Sequence, residues 1–158
     1  MMADLAAVFA SGRVRRWHTN LDLSCTEDYN DAHQGRVARI ILALHPDPSA
    51  GLICAALTHD DGERGPGDLS TDAKKNPELR AIVEAEERKT AVKTWGKIWW
   101  LESDEQKWLK FADRLDAYMW AKHKAPWVLV QDTWVKHRRE LLDSVESLGC
   151  TAKIKGII

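Results

Sequence analysis

The stretch "HPDPSAGLICAALTHDD", His45 to Asp61, constrains this chain more than any other. Pro46 and Pro48 stop any helix arriving from upstream, and Ser49 is suited to cap a new one. Leu52, Ile53, Cys54, Ala55, Ala56 and Leu57 then follow without a polar break. A helix that is apolar on all sides belongs in the centre of a domain, so the spacing predicts a buried helix from Ser49 to about Thr58. That helix ends on His59, Asp60 and Asp61, and Glu63 and Asp68 follow among Gly62, Gly65, Pro66 and Gly67. An uncompensated carboxylate at the edge of a core is costly. Something must hold these groups.

The rest of the chain has the same periodicity. Between Asp28 and Leu44, residues His33, Val37, Ile40, Ile41 and Leu44 form one helical stripe. Asn76-Pro77 reads as cap and first turn of a helix to roughly Lys89. "SDEQ" from Ser103 gives a capping-box start to a helix ending near Ala121. A last helix covers about Asp132 to Leu148, stopped by Gly149. Alternating apolar and polar runs are scarce, and no Asn-Gly or Asp-Gly turn separates two β-branched segments. The expectation is one all-α domain, a helical bundle over residues 1–158.

Composition narrows the function classes. Residues are 44% hydrophobic and 30% charged, the balance of a water-soluble globular chain. The formal net charge of -1 provides no global field for a long polyanion, although a local group of bases can still hold a small anion. Cys25, Cys54 and Cys150 are odd in number and form no CxxC, which suits free thiols in a reducing compartment. The N-terminal "MMADLAAVFA" lacks the basic flank of a signal peptide, and no apolar run approaches the ~20 residues that span a bilayer. A cytoplasmic location is expected, with no membrane partner and no polymeric nucleic acid.

Three of these helices each place a metal-type ligand where an apolar residue is expected. His33 lies on the Val37/Ile40/Ile41/Leu44 stripe, His59 and Asp60 close the most apolar helix, and Asp113 shares a face with Leu109, Ala117 and Trp120. Taken singly, such a histidine is ordinarily a satisfied core residue, and such an aspartate pairs with a base such as Arg114. Taken together, two imidazoles and two carboxylates meeting between packed helices make a site for a hard-to-borderline divalent ion.

The order H…HD…D resembles that of the HD-domain phosphohydrolase superfamily, all-α metal-dependent hydrolases of phosphate esters. "RRW" at 15–17, "HDDGE" at 59–63, "GD" at 67–68 and Lys74 resemble the bacterial 5′-deoxynucleotidases and the short phage dATP triphosphohydrolases. Lys110, three residues before Asp113, is similar to the lysine of the phage group. The resemblance runs from about Arg13 to Trp120 and departs at Pro66 and Asp72, where the deoxynucleotidases carry threonine and proline. It implies a divalent ion (Co, Mn, Zn or Mg) on His33, His59, Asp60 and Asp113, which would make water nucleophilic at neutral pH. Glu63 is the implied general acid/base, and Asp68 fixes the water or contacts the sugar. Arg16, Lys74 and Lys110 would clamp phosphate, and Trp17 would stack a nucleobase. The remaining tryptophans, notably Trp95, Trp99 and Trp100, are read as core or subunit contacts of a homo-oligomer, and "KHRRE" at 136–140 as a solvated or intersubunit basic face. The expected activity is hydrolysis of deoxynucleoside triphosphates, with dATP preferred, to deoxynucleoside and triphosphate. The alternative is a 5′-deoxynucleotidase acting on monophosphates. A third reading, a helical interaction protein using its tryptophans, would show no dependence on metal.

Overall fold

A computed structural model describes residues 2–69, 75–154 and 156–158. Among the described residues there are seven α-helices and no strand; a single antiparallel bridge joins Arg15 to Tyr29. The helices are α1 (Leu5–Gly12), α2 (Asn30–Leu44), α3 (Ala50–Ala56), α4 (Pro77–Trp95), α5 (Ser103–Lys124), α6 (Asp132–Ser147) and α7 (Thr151–Ile154). Short 3-10 turns occupy Asp61–Arg64 and Pro126–Val130. No described helix is long and apolar enough to cross a membrane.

The caps explain where most helices begin and end. Ser49 accepts the Leu52 N–H at 3.0 Å, and Asn76 accepts those of Glu78 and Leu79, satisfying donors that a helix start leaves orphaned. The capping box of α5 lies one residue earlier than expected: Glu102 is the cap and Glu105 its partner. α4 runs past Lys89 to Trp95, where Gly96 adopts the left-handed conformation (φ 74°) of a helix stop. The helix after Ser49 closes at Ala56 rather than Thr58, and the chain re-enters as the 3-10 turn that carries Glu63. α1, a short helix capped by Asp4 with Leu5 and Phe9 exposed, lies where the sequence shows no clear periodicity.

α5 is the central wall. Trp108, Phe111, Ala112, Leu115, Tyr118 and Ala121 are buried on it, against Val37, Ala38 and Ile41 of α2 and Leu141 and Val145 of α6. Leu52, Ala55 and Ala56 of α3 complete the core, as their uninterrupted apolarity demands. Burial of each such large side chain contributes about 1.5–3 kcal/mol. α4 buries only Val83 and Thr94 and packs on the Asp61–Arg64 turn and α1. That crossing is close. A Cβ on Gly62 would run into the Glu87 carbonyl, so only glycine lets α4 lie over the turn.

Candidate metal centre

His33 stands in the first turn of α2 and is fully buried, and its Nε2 faces three other polar groups. Asp113 Oδ1 of α5 is 3.2 Å away, His59 Nε2 is 3.2 Å away, and Asp60 Oδ2 is 3.4 Å away. His59 Nε2 lies 3.5 Å from Asp60 Oδ1 and 4.0 Å from Asp113 Oδ1. Donors bound ~2.1 Å from one ion sit roughly 3.0–3.5 Å apart. Most of these separations match that spacing, and His33, His59 and Asp60 alone bring three ligand atoms within 4.8 Å of one another.

The imidazole tautomers sharpen the fit. His59 Nδ1 is 2.9 Å from the Ala56 carbonyl oxygen, which can only accept, so Nδ1 carries the proton. His33 Nδ1 is 2.7 Å from Asp116 Oδ2, which binds it in the same sense. Two neutral rings would therefore aim two Nε2 lone pairs at each other across 3.2 Å. That arrangement needs a cation between them or a proton on one of them. Without a metal the proton goes to His33: burial alone would lower its pKa, but Asp113, Asp116 and Asp60 outweigh that and push it up to about 10. Burial likewise disfavours the charged form of Asp60, yet His59, His33 and Arg16 hold its carboxyl well below the usual carboxylate range.

The structure brings together His33, His59, Asp60 and Asp113, the four ligands read from the sequence. Arg114, the base that could have neutralised Asp113, instead pairs with Glu140 at 3.1 Å. Arg16 reaches the cluster, with Nη1 3.1 Å from Asp60 Oδ2. Glu63 is buried beside it, and Asn30 Nδ2 donates both to Glu63 Oε2 (3.2 Å) and to the Asp60 carbonyl (3.1 Å). Lys110 is exposed on α5, one turn before Asp113. Lys74 lies outside the described residues, as does Asp72. Asp68 is placed differently from the water-fixing expectation: its Oδ2 accepts the Trp17 backbone N–H at 3.3 Å. Trp17 is half-buried in the left-handed region (φ 63°), its Nε1–H donates to Asp28 Oδ2 at 3.1 Å, and its ring packs on Trp134. A non-glycine residue in that conformation stores strain of about 1–3 kcal/mol, and these two hydrogen bonds offset it.

Other residues complete the site. Asp61 is a brace: Gln34 Nε2 and Trp95 Nε1 donate to its two oxygens at 3.0 and 2.6 Å, tying the 3-10 turn to α2 and α4. Burial pushes its carboxyl up in spite of those bonds. Asp28, Arg36 and Asp116 form an ion-pair chain behind His33, which sequence reading missed. The available signal was spacing, since Asn30, His33 and Arg36 lie at i, i+3 and i+6 on α2, and Asp113 and Asp116 at i and i+3 on α5. Of the remaining tryptophans, Trp95, Trp99, Trp108, Trp120 and Trp134 pack inward, while Trp100 and Trp127 are exposed.

A groove of about 630 Å³ runs between α3, α4 and α5 with His59 on its wall. Ala81, Ala85, Trp99 and Leu109 make it apolar, and Arg88 adds a charge. No protein-family model, curated protein or solved structure matches the chain.

Proposed function

We propose that this chain is an HD-type, metal-dependent phosphohydrolase of deoxynucleotides, in the first instance one that cleaves deoxynucleoside triphosphates to deoxynucleoside and triphosphate. The observation that carries this reading is the convergence of two Nε2 atoms and two carboxylates on one point, with a guanidinium against the same carboxylate. His33, His59, Asp60 and Asp113 would hold the ion. Bound there, a divalent ion neutralises phosphate charge and lowers the pKa of water.

The chain's own residues account for the rest. Arg16 presents a planar fork suited to phosphate at the edge of the ligand set. Glu63, held in place by Asn30, is the group for moving a proton to or from the reacting oxygens. Lys110 supplies charge one helical turn from Asp113, where a monophosphate has no further phosphate to offer, and this favours the triphosphate. The groove along α4, apolar and of small-ligand size, provides room for the nucleoside. The second reading, a 5′-deoxynucleotidase, uses the same ligands and leaves Lys110 without a role.

The test is a panel of deoxynucleoside mono- and triphosphates with Mg, Mn, Co and Zn, with products separated by chromatography. Deoxyadenosine and intact triphosphate from dATP are expected. Lys110→Ala should weaken the triphosphate by roughly 10- to 150-fold, the worth of one charge-assisted hydrogen bond. Turnover of dAMP with none of dATP would move the chain to the nucleotidase reading, and no hydrolysis with any ion would end both.

A further inference from the structure

Behind the four candidate ligands lies a closed circuit of opposite charges. Starting at His33, Nδ1 meets Asp116 Oδ2 at 2.7 Å. Asp116 is gripped by Arg36, with Nε 2.7 Å from Oδ1 and Nη2 3.0 Å from Oδ2. The same Nη2 reaches both oxygens of Asp28, at 2.8 and 3.0 Å. Asp28 lies 3.6 Å from Arg16 Nε, Arg16 Nη1 is 3.1 Å from Asp60 Oδ2, and Asp60 Oδ2 returns to His33 Nε2 at 3.4 Å. Two tryptophans brace the circuit: the Trp17 N–H binds Asp28, and the Trp120 ring lies 4.6 Å from the Arg36 guanidinium.

Neither Arg36 nor Asp116 contacts His59, Asp60 or Asp113 in any ion pair or hydrogen bond given above. Both are nonetheless committed to groups that do. Asp28 and Asp116 are almost wholly buried, so the circuit sits at low dielectric, where an unpaired member would be expensive. Each member therefore has one satisfactory arrangement, and it fixes the His33 ring plane at one end and the Arg16 fork at the other. Resting on the reading that His33 and Asp60 bind the ion, we propose that Asp116 and Arg36 are positioning residues. They set the His33 orientation for the metal and, through Asp28, align Arg16 for the substrate's phosphate.

Cobalt(II) tests this without recourse to turnover, because its visible absorption reports ligand geometry. Asp116→Asn should weaken cobalt binding by about 10- to 100-fold, the usual effect of removing a carboxylate behind a ligating histidine, and should alter the spectrum. Asp116→Glu should recover part of the affinity. Arg36→Lys, which keeps the charge but loses the fork, should shift the spectrum less and remain folded if Asp116→Asn does not. Wild-type affinity and spectrum in Asp116→Asn and Arg36→Lys, with only thermal stability reduced, would make the circuit purely structural and overturn the inference. Absence of cobalt binding by the wild-type protein would instead remove the metal reading on which it rests.

Discussion

Two histidines pack against opposite sides of α5, and their surroundings differ. His33 comes from α2 and meets Asp113 and Asp116. His137 comes from α6, donates through Nε2 to the Arg114 carbonyl at 2.9 Å, and stacks on Tyr118 with 6.4 Å between ring centroids. His137 is satisfied by one backbone acceptor and an aromatic face, as a core histidine ordinarily is. His33 has a carboxylate on one nitrogen, while the other faces a second imidazole and two more carboxylates. Residue type and helical position are alike on the two sides. The difference lies in the company across the interface, and that company turns a packing residue into a candidate ligand.

The largest effect that bears on this contrast belongs to Glu63, which has a place only on the His33 side. Glu63→Ala should lower turnover by ~10²–10⁴-fold while leaving metal and substrate binding intact, the usual contribution of a positioned acid/base group. Single-turnover rates and equilibrium binding separate the two. Loss of affinity with maximal turnover preserved would make Glu63 a binding residue.

The next effect is one of pH. With a chelator present, His33 has a pKa raised from 6.5 to about 10, so the folded state binds the proton more tightly than the unfolded state. The stability it contributes is fully present below about 6.5 and is lost as pH rises through about 10. A divalent ion must displace that proton, so binding should release about one proton per ion between these limits and strengthen as pH rises. Melting curves with and without ion, together with proton release in two calorimetric buffers, measure both slopes. Ion binding that takes up no change in protons across this range would show that His33 is not displaced.

How much of this was legible in the sequence follows from the kind of interaction concerned. Helices α2 to α6 could be read because their burial is periodic, and the four ligands because they interrupt apolar faces. The Ser49 and Asn76 caps were legible because capping is local. The capping box of α5 fell one residue early at Glu102, since an acidic residue can replace serine there and composition alone does not choose between them. The Asp28–Arg36–Asp116 chain was hidden because Arg36 and Asp116 are 80 positions apart, and each looks like a solvated charge until the helices meet. Trp17 was read as a platform for a base because aromatic type suggests stacking; the sequence gave no sign that its N–H is committed to Asp28. Asp61 likewise read as part of one acidic run, although it braces the turn that its neighbour Asp60 needs.

The central claim is that His33, His59, Asp60 and Asp113 form one site for a divalent ion, and a cobalt(II) titration followed by visible absorption tests it most directly. Wild-type protein and His137→Ala should each bind one ion per chain with the same spectrum, since His137 has no part in the site. His59→Ala and Asp60→Asn should lose that spectrum and the tight binding. Stoichiometric binding with an unchanged spectrum in His59→Ala and Asp60→Asn, or loss of the ion in His137→Ala alone, would contradict the assignment.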